Sequence, residues 1–185
     1  MRRPFYLLAA LLLAAPLWLR AQQSPQLKLD IPALAARADE VSEVTLDGPV
    51  LRLGLAFINS DEKDMDPAAR GLLSRLKGIY VRSYEFHHHV TVNPADLDTL
   101  HQQLKQGGWS RIVNVRSRRD GENDEVYVRT APSGATILGL VVISVQPDEV
   151  DLVNIVGDIK PAELAALGGH LGIPAVETTP AGKKH

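Results

Sequence analysis

The sequence predicts an α+β fold with a predominantly antiparallel sheet and helices packed on one face, in β-α-β-β-β-β-α order after an N-terminal helical segment. Three observations predict it. Four strand-like runs follow one another between residues 111 and 156, joined by links too short for anything but antiparallel pairing. Leucine-spaced helices, each opened by a proline, precede and follow those strands. A chain of 185 residues, 45% hydrophobic and 23% charged, suits one buried core.

The first helix opens at Asp30-Ile31-Pro32, where proline is tolerated in the first turn and Leu34 and Ala38 share a face. A short strand is expected over 43–46. Asp47-Gly48-Pro49 is turn chemistry, and residues 50–58 (Val50, Leu51, Leu53, Gly54, Phe57) are read as a buried helix in preference to a strand. Asp66 before Pro67 is an N-cap signal for a helix with Leu72, Leu73 and Leu76 as its stripe. Residues 79–86, rich in β-branched and aromatic side chains, predict a strand. Asn93-Pro94 opens a helix through Gln106 on Leu97, Leu100 and Leu104, and Gly107-Gly108 ends it.

Strands are then expected over 111–117, 125–130, 136–145 and 150–156, and Lys160-Pro161 opens a last helix carrying Leu164, Leu167 and Leu171. The third of these strands is apolar on both faces. Ile137, Val141, Ile143 and Val145 fall on one side, and Leu138, Leu140 and Val142 on the other. Helices on one face leave the second row to be covered by the N-terminal helices or by a partner, so Leu138 and Leu140 are candidate partner-binding residues.

The order Trp109-Ser110-Arg111-Ile112-Val113, Glu125-Val126-Tyr127-Val128, Gly139-Leu140-Val141-Val142-Ile143 and Leu152-Val153-Asn154-Ile155-Val156-Gly157 before a Leu-rich helix resembles the bacterial exported family filed as domain of unknown function 4252. The likeness spans about residues 29–173, and its last two segments are the most specific. It implies an envelope or secreted protein with no established activity, supplies no catalytic residues, and motivates a sensor in envelope signalling as one alternative.

The ends fit an exported chain. Arg2 and Arg3 precede an uncharged run of 15 residues from Phe5 to Leu19, closed by Arg20-Ala21. A spanning helix wants about 20 residues, so cleavage near Ala21 is expected over a permanent anchor, with no stable membrane span afterwards. The expected organisation is a signal peptide over 1–21, a polar linker over 22–28, one domain over 29–173 and a disordered tail over 174–185. Localisation is thus periplasmic or secreted. The mature chain holds 17 basic and 22 acidic residues, a net charge of −5 that disfavours nucleic acid and anionic membranes.

The absence of cysteine excludes disulfide scaffolds, iron–sulfur clusters, thiolate zinc sites, thiol nucleophiles and a lipidated-cysteine anchor. No nucleophile elbow, dinucleotide fingerprint or phosphate loop occurs, and no cofactor is predicted. His87-His88-His89 is the conspicuous cluster. On a continuing strand His87 and His89 share a face about 7 Å apart, enough for two imidazole ligands but not for a complete site. His101 would join them only if the next helix folds back. A solvent-facing strand end is the simpler reading of the triplet; a metal-binding protein or metal-dependent enzyme is the alternative.

Asp61, Glu62, Asp64 and Asp66 lack the glycine and terminal glutamate of a calcium loop and fit a solvated loop with a helix cap. Arg111, Arg116, Arg118, Arg119 and Arg129 gather around one hairpin, with Asp120, Glu122, Asp124 and Glu125 near enough to neutralise them. Arg118 and Arg119 are the residues expected to dock an envelope protein partner. The favoured function is therefore a non-enzymatic protein- or ligand-interaction module; the sequence specifies no oligomeric state.

Overall fold

The computed structural model describes residues 24–61, 71–89, 92–117 and 119–163. Its elements are α1 (Pro32–Ala35), β1 (Glu40–Asp47), α2 (Gly48–Asp61), β2 (Leu76–Glu85), a 3-10 turn (Pro94–Leu97) running into α3 (Asp98–Gln106), and strands β3 (Ser110–Arg116), β4 (Asn123–Thr130), β5 (Ile137–Val145) and β6 (Glu149–Ile159). All strands join one antiparallel sheet of order β1-β2-β6-β5-β4-β3. The α+β class and antiparallel sheet are thus as the sequence predicts.

The short links make β3 to β6 a meander, and β6 then lies beside β2, placing the most continuously apolar strands at the centre. At the edge, Glu40-Val41-Ser42-Glu43 carries β1 three residues beyond its expected start. Charged residues suit an exposed edge strand, and Glu40 completes the pairing with Glu85.

One face of the sheet carries α1 and α3. Leu97, Leu100 and Leu104, each at most 3% exposed, pack with Leu34 against Tyr84, Ile143 and Leu152. Asn93 starts this helical stretch: its N–H donates to Asp96 Oδ2 at 2.9 Å, while the Asp96 N–H donates to the Asn93 carbonyl. Asp96 Oδ2 also accepts from Arg37 at 2.6 Å, joining the turn to the end of α1. On the other face Leu72 packs with Val126, Val128, Leu140, Ile155 and Ile159.

Two sequence expectations change here. A β-bulge between Ile137 and Gly139 breaks the alternation, so Ile137 packs with Leu140 and Ile159 instead of sharing the face of Val141 and Ile143. Residues 25–28, read as linker, are tied to the sheet: Asn154 Oδ1 accepts the Leu27 N–H at 2.9 Å, and Asn154 Nδ2 donates to the Pro25 carbonyl at 3.3 Å. Asn154 is completely buried, so this segment satisfies a polar group that the sheet alone leaves short of partners.

The predicted last helix begins with 161–163, and the remainder of it lies outside the described residues, as do the signal segment, the tail and Asp66. Among the described residues no helix is long and apolar enough to cross a membrane.

Candidate functional site

Two places combine polarity with accessibility. The first is a cleft of ≈ 480 Å³ between α3 and the β3–β4 hairpin, with His89, Leu97, His101, Arg116, Asn123 and Glu125 in its lining. Alternation along β4 puts Asn123, Glu125 and Tyr127 on the face that α3 covers. His101, next to the buried Leu100 on α3, reaches that strand.

Glu125 is the hub of the cleft. Its side chain is 5% exposed, with Oε2 3.1 Å from His101 Nε2 and accepting the Tyr127 hydroxyl at 2.5 Å. Oε1 accepts from Asn123 Nδ2 at 3.4 Å and lies 3.7 Å from Arg111 Nη1. The His101 hydrogen bond, with smaller help from Tyr127 and Asn123, outweighs burial and holds the carboxyl at about 2. Burial, followed by the Glu125 hydrogen bond and charge, pushes the Tyr127 hydroxyl up to about 12. Both carboxylate oxygens have internal partners, and such a group braces α3 against β4.

The second place is the sheet face opposite α3. Strand register aligns Val44, Val81, Val153, Val142, Val126 and Val113 in one row across all six strands. Val126 is buried, Val81, Val153, Val142 and, on the far edge strand, Val113 are half-buried, and Val44 is 45% exposed at its edge; Val113, Val142 and Val153 pack against the Leu72 cluster. The adjacent row on this face is Ser42, Ser83, Asp151, Ser144, Asp124 and Val115. Beyond it stand Glu40, Glu85 and Glu149 in register. Ser83 donates to Asp151 at 2.5 Å and Ser144 to Asp124 at 2.7 Å, fixing the carboxylates in the row. Burial, reinforced by Asp151, Glu85 and Asp148, raises the Glu149 pKa.

The residues singled out from sequence are dispersed. His87 is exposed, its Nδ1 3.1 Å from Asp39 Oδ2, and its backbone N–H donates to the same oxygen at 2.7 Å. That backbone bond is the main reason the Asp39 pKa is lowered. His89 is exposed at the cleft. Among the described residues no three His, Cys, Asp or Glu side chains are grouped to hold a metal. Arg118 lies outside the described residues, and Arg119 is exposed.

Leu138 is half-buried at the bulge. Leu140 is 1% exposed and covered by Leu72, Val126, Val128 and Ile155, so the partner-facing role expected of it is corrected: it belongs to the core.

The sequence reading missed the Glu125 hub, taking Glu125 only as a neutraliser of nearby arginines and His101 only as a conditional metal ligand. The polar alternation of Asn123, Glu125 and Tyr127 was the available signal. The valine row had none, since it exists only once six strands are in register.

A family model described as Domain of unknown function (DUF4252) matches residues 36–167. The chain belongs to this family. No curated protein and no solved structure matches it. The family match runs from the residue after α1 to the residues after β6, so it takes in both the cleft and the valine row.

Proposed function

We propose that this DUF4252 protein is an exported, non-enzymatic interaction module of the cell envelope. The observation that carries the reading is the valine row: an apolar strip that is half-buried at Val81, Val153 and Val142, exposed at Val44 and bordered by acids offers an edge of the core that a partner can extend. Two features support it. Residues 1–21 have the form of a secretory signal, and the buried carboxylate of the cleft is committed to internal hydrogen bonds.

Photo-reactive side chains placed singly at Val44 and Val115 on this face, and at exposed Gln102 on α3 as control, test it in the native envelope. Discrete cross-linked products from the two valine positions and none from Gln102 are expected. Products from Gln102 alone would overturn the proposed surface. Intact mass of the native protein tests export: loss of about 21 residues is expected, and retention of the segment in the membrane fraction would make it an anchor.

A further inference from the structure

Five carboxylates lie on one side of the valine row: Asp124 and Asp151 in the adjacent row, and Glu40, Glu85 and Glu149 in the row beyond. No lysine or arginine occupies the positions of the valine row or of the two rows beside it on that side. Among the described residues the ion pairs of Arg37, Arg75, Arg82 and Arg111 reach Asp96, Glu163, Asp30, Glu43 and Glu125 and none of these five. Among the described residues the strip is therefore apolar along its length and negative along one flank, with no cation in these rows.

We infer that this face docks a cationic amphipathic helix of another envelope protein, with its apolar side on Val44, Val81, Val153 and Val142 and its basic edge over Asp151, Asp124 and Glu149. The inference rests on the docking reading above and adds the chemistry of the partner. Its geometry follows from the rows. The four strands from Val44 to Val142, about 4.8 Å apart, make a strip roughly 14 Å long, the length of about ten helical residues at about 1.5 Å each, which a helix of about 16 residues covers. Rows on one face are about 7 Å apart, so a helix some 10 Å across seated on the valines carries its flanking lysines directly over the carboxylates. Charge also disposes of other occupants. A second copy brings five more carboxylates to the same place, and an anionic bilayer or a nucleic acid is repelled.

Fluorescence anisotropy with labelled 16-residue peptides tests the inference on the mature protein: an amphipathic Leu/Lys helix, its Leu/Glu counterpart, and a Leu/Lys isomer with the same composition but no apolar face. Selective binding of the amphipathic Leu/Lys peptide is expected, weakening as salt rises. Glu85→Gln/Glu149→Gln/Asp151→Asn should reduce that affinity at least about tenfold. These are surface neutralisations that relieve repulsion, so thermal melts should show the variant folded. Val81→Thr/Val153→Thr should weaken binding independently of salt.

Equal affinity for the Leu/Glu helix or the non-amphipathic isomer would overturn the inference. So would a salt-stable dimer seen by size-exclusion, or peptide binding that appears only after the Lys183-Lys184 tail is removed, which would make the chain's own end the occupant. Val44 cross-links to an acidic partner would sink the cationic-helix chemistry and leave the docking reading standing; absence of Val44 cross-links together with absence of peptide binding would sink both.

Discussion

His101 Nε2 stands 3.1 Å from Glu125 Oε2, joining a helix to a strand through a carboxylate that is 5% exposed. Leu97, Leu100 and Leu104 already seat α3 on the sheet. The polar contact fixes what the leucines leave adjustable, the rotation of α3 over β4, because hydrogen bonds are directional and apolar contacts are not.

Replacing Glu125 by Gln preserves its shape but removes the charge that His101, Tyr127 and Arg111 converge on. The expected cost is about 2 kcal/mol, between that of an ordinary hydrogen bond and that of a broken buried pair. Thermal denaturation reads the loss. Spectrophotometric titration reads the site: Tyr127 should ionise below its present value of about 12, because the carboxylate that raises it is gone.

Linkage sets the pH window of the same cluster. Glu125 falls from the ordinary 4.5 to about 2 on folding, so its stabilisation is complete above 4.5 and is lost as pH drops from there through 2. Tyr127 moves from 10.0 to about 12, so its contribution is complete below 10 and is lost as pH rises through 12. Urea midpoints measured across both limbs should fall at each end. In Glu125→Gln the acid limb should flatten, and a parent-like acid limb would show that other carboxylates dominate it.

Periodicity made the sheet and α3 legible in the sequence, because an i, i+3, i+7 leucine stripe and alternating strands state their own burial. Register is not local information. The bulge at Ile137–Gly139 turns Ile137 over, and in Thr136-Ile137-Leu138-Gly139 only the strand-interior glycine signals it, without saying which residue turns. A Cβ at Gly139 would sit 2.6 Å from Trp109 Cη2, so the glycine makes room for the tryptophan. The Glu125 hub required knowing that α3 packs over β4, and the valine row required all five strand pairings. The histidine triplet was conspicuous in sequence for composition alone.

The triplet carries its own expectation. With His87 bonded toward Asp39 and no third ligand grouped with it among the described residues, metal affinity should be weak. Protein purified without a tag or metal column should retain no stoichiometric zinc or copper after dialysis. One retained equivalent that vanishes in His87→Ala/His89→Ala would promote the metal-dependent alternative.

The N-terminal strap gives the last prediction. Asn154 holds Leu27 and Pro25, and its Nδ2 also donates to the Leu140 carbonyl at 3.3 Å. Four residues further along, the buried Tyr84 hydroxyl accepts the Ile31 N–H at 2.7 Å and donates to the Leu29 carbonyl at 3.1 Å. Asn154→Ala leaves the Leu27 N–H and two carbonyls without these partners, at about 2 kcal/mol. Tyr84→Phe removes one hydroxyl that serves two backbone groups, at about 1.5 kcal/mol. Each releases part of the same segment, so the second lesion should find some of its contacts already lost, and the double variant should cost less than the two singles together. Hydrogen exchange at Leu27 and Ile31 supplies the local readout. Faster exchange at both amides in either single variant is expected, while strict additivity with exchange confined to the nearer amide would mean that the two anchors act independently.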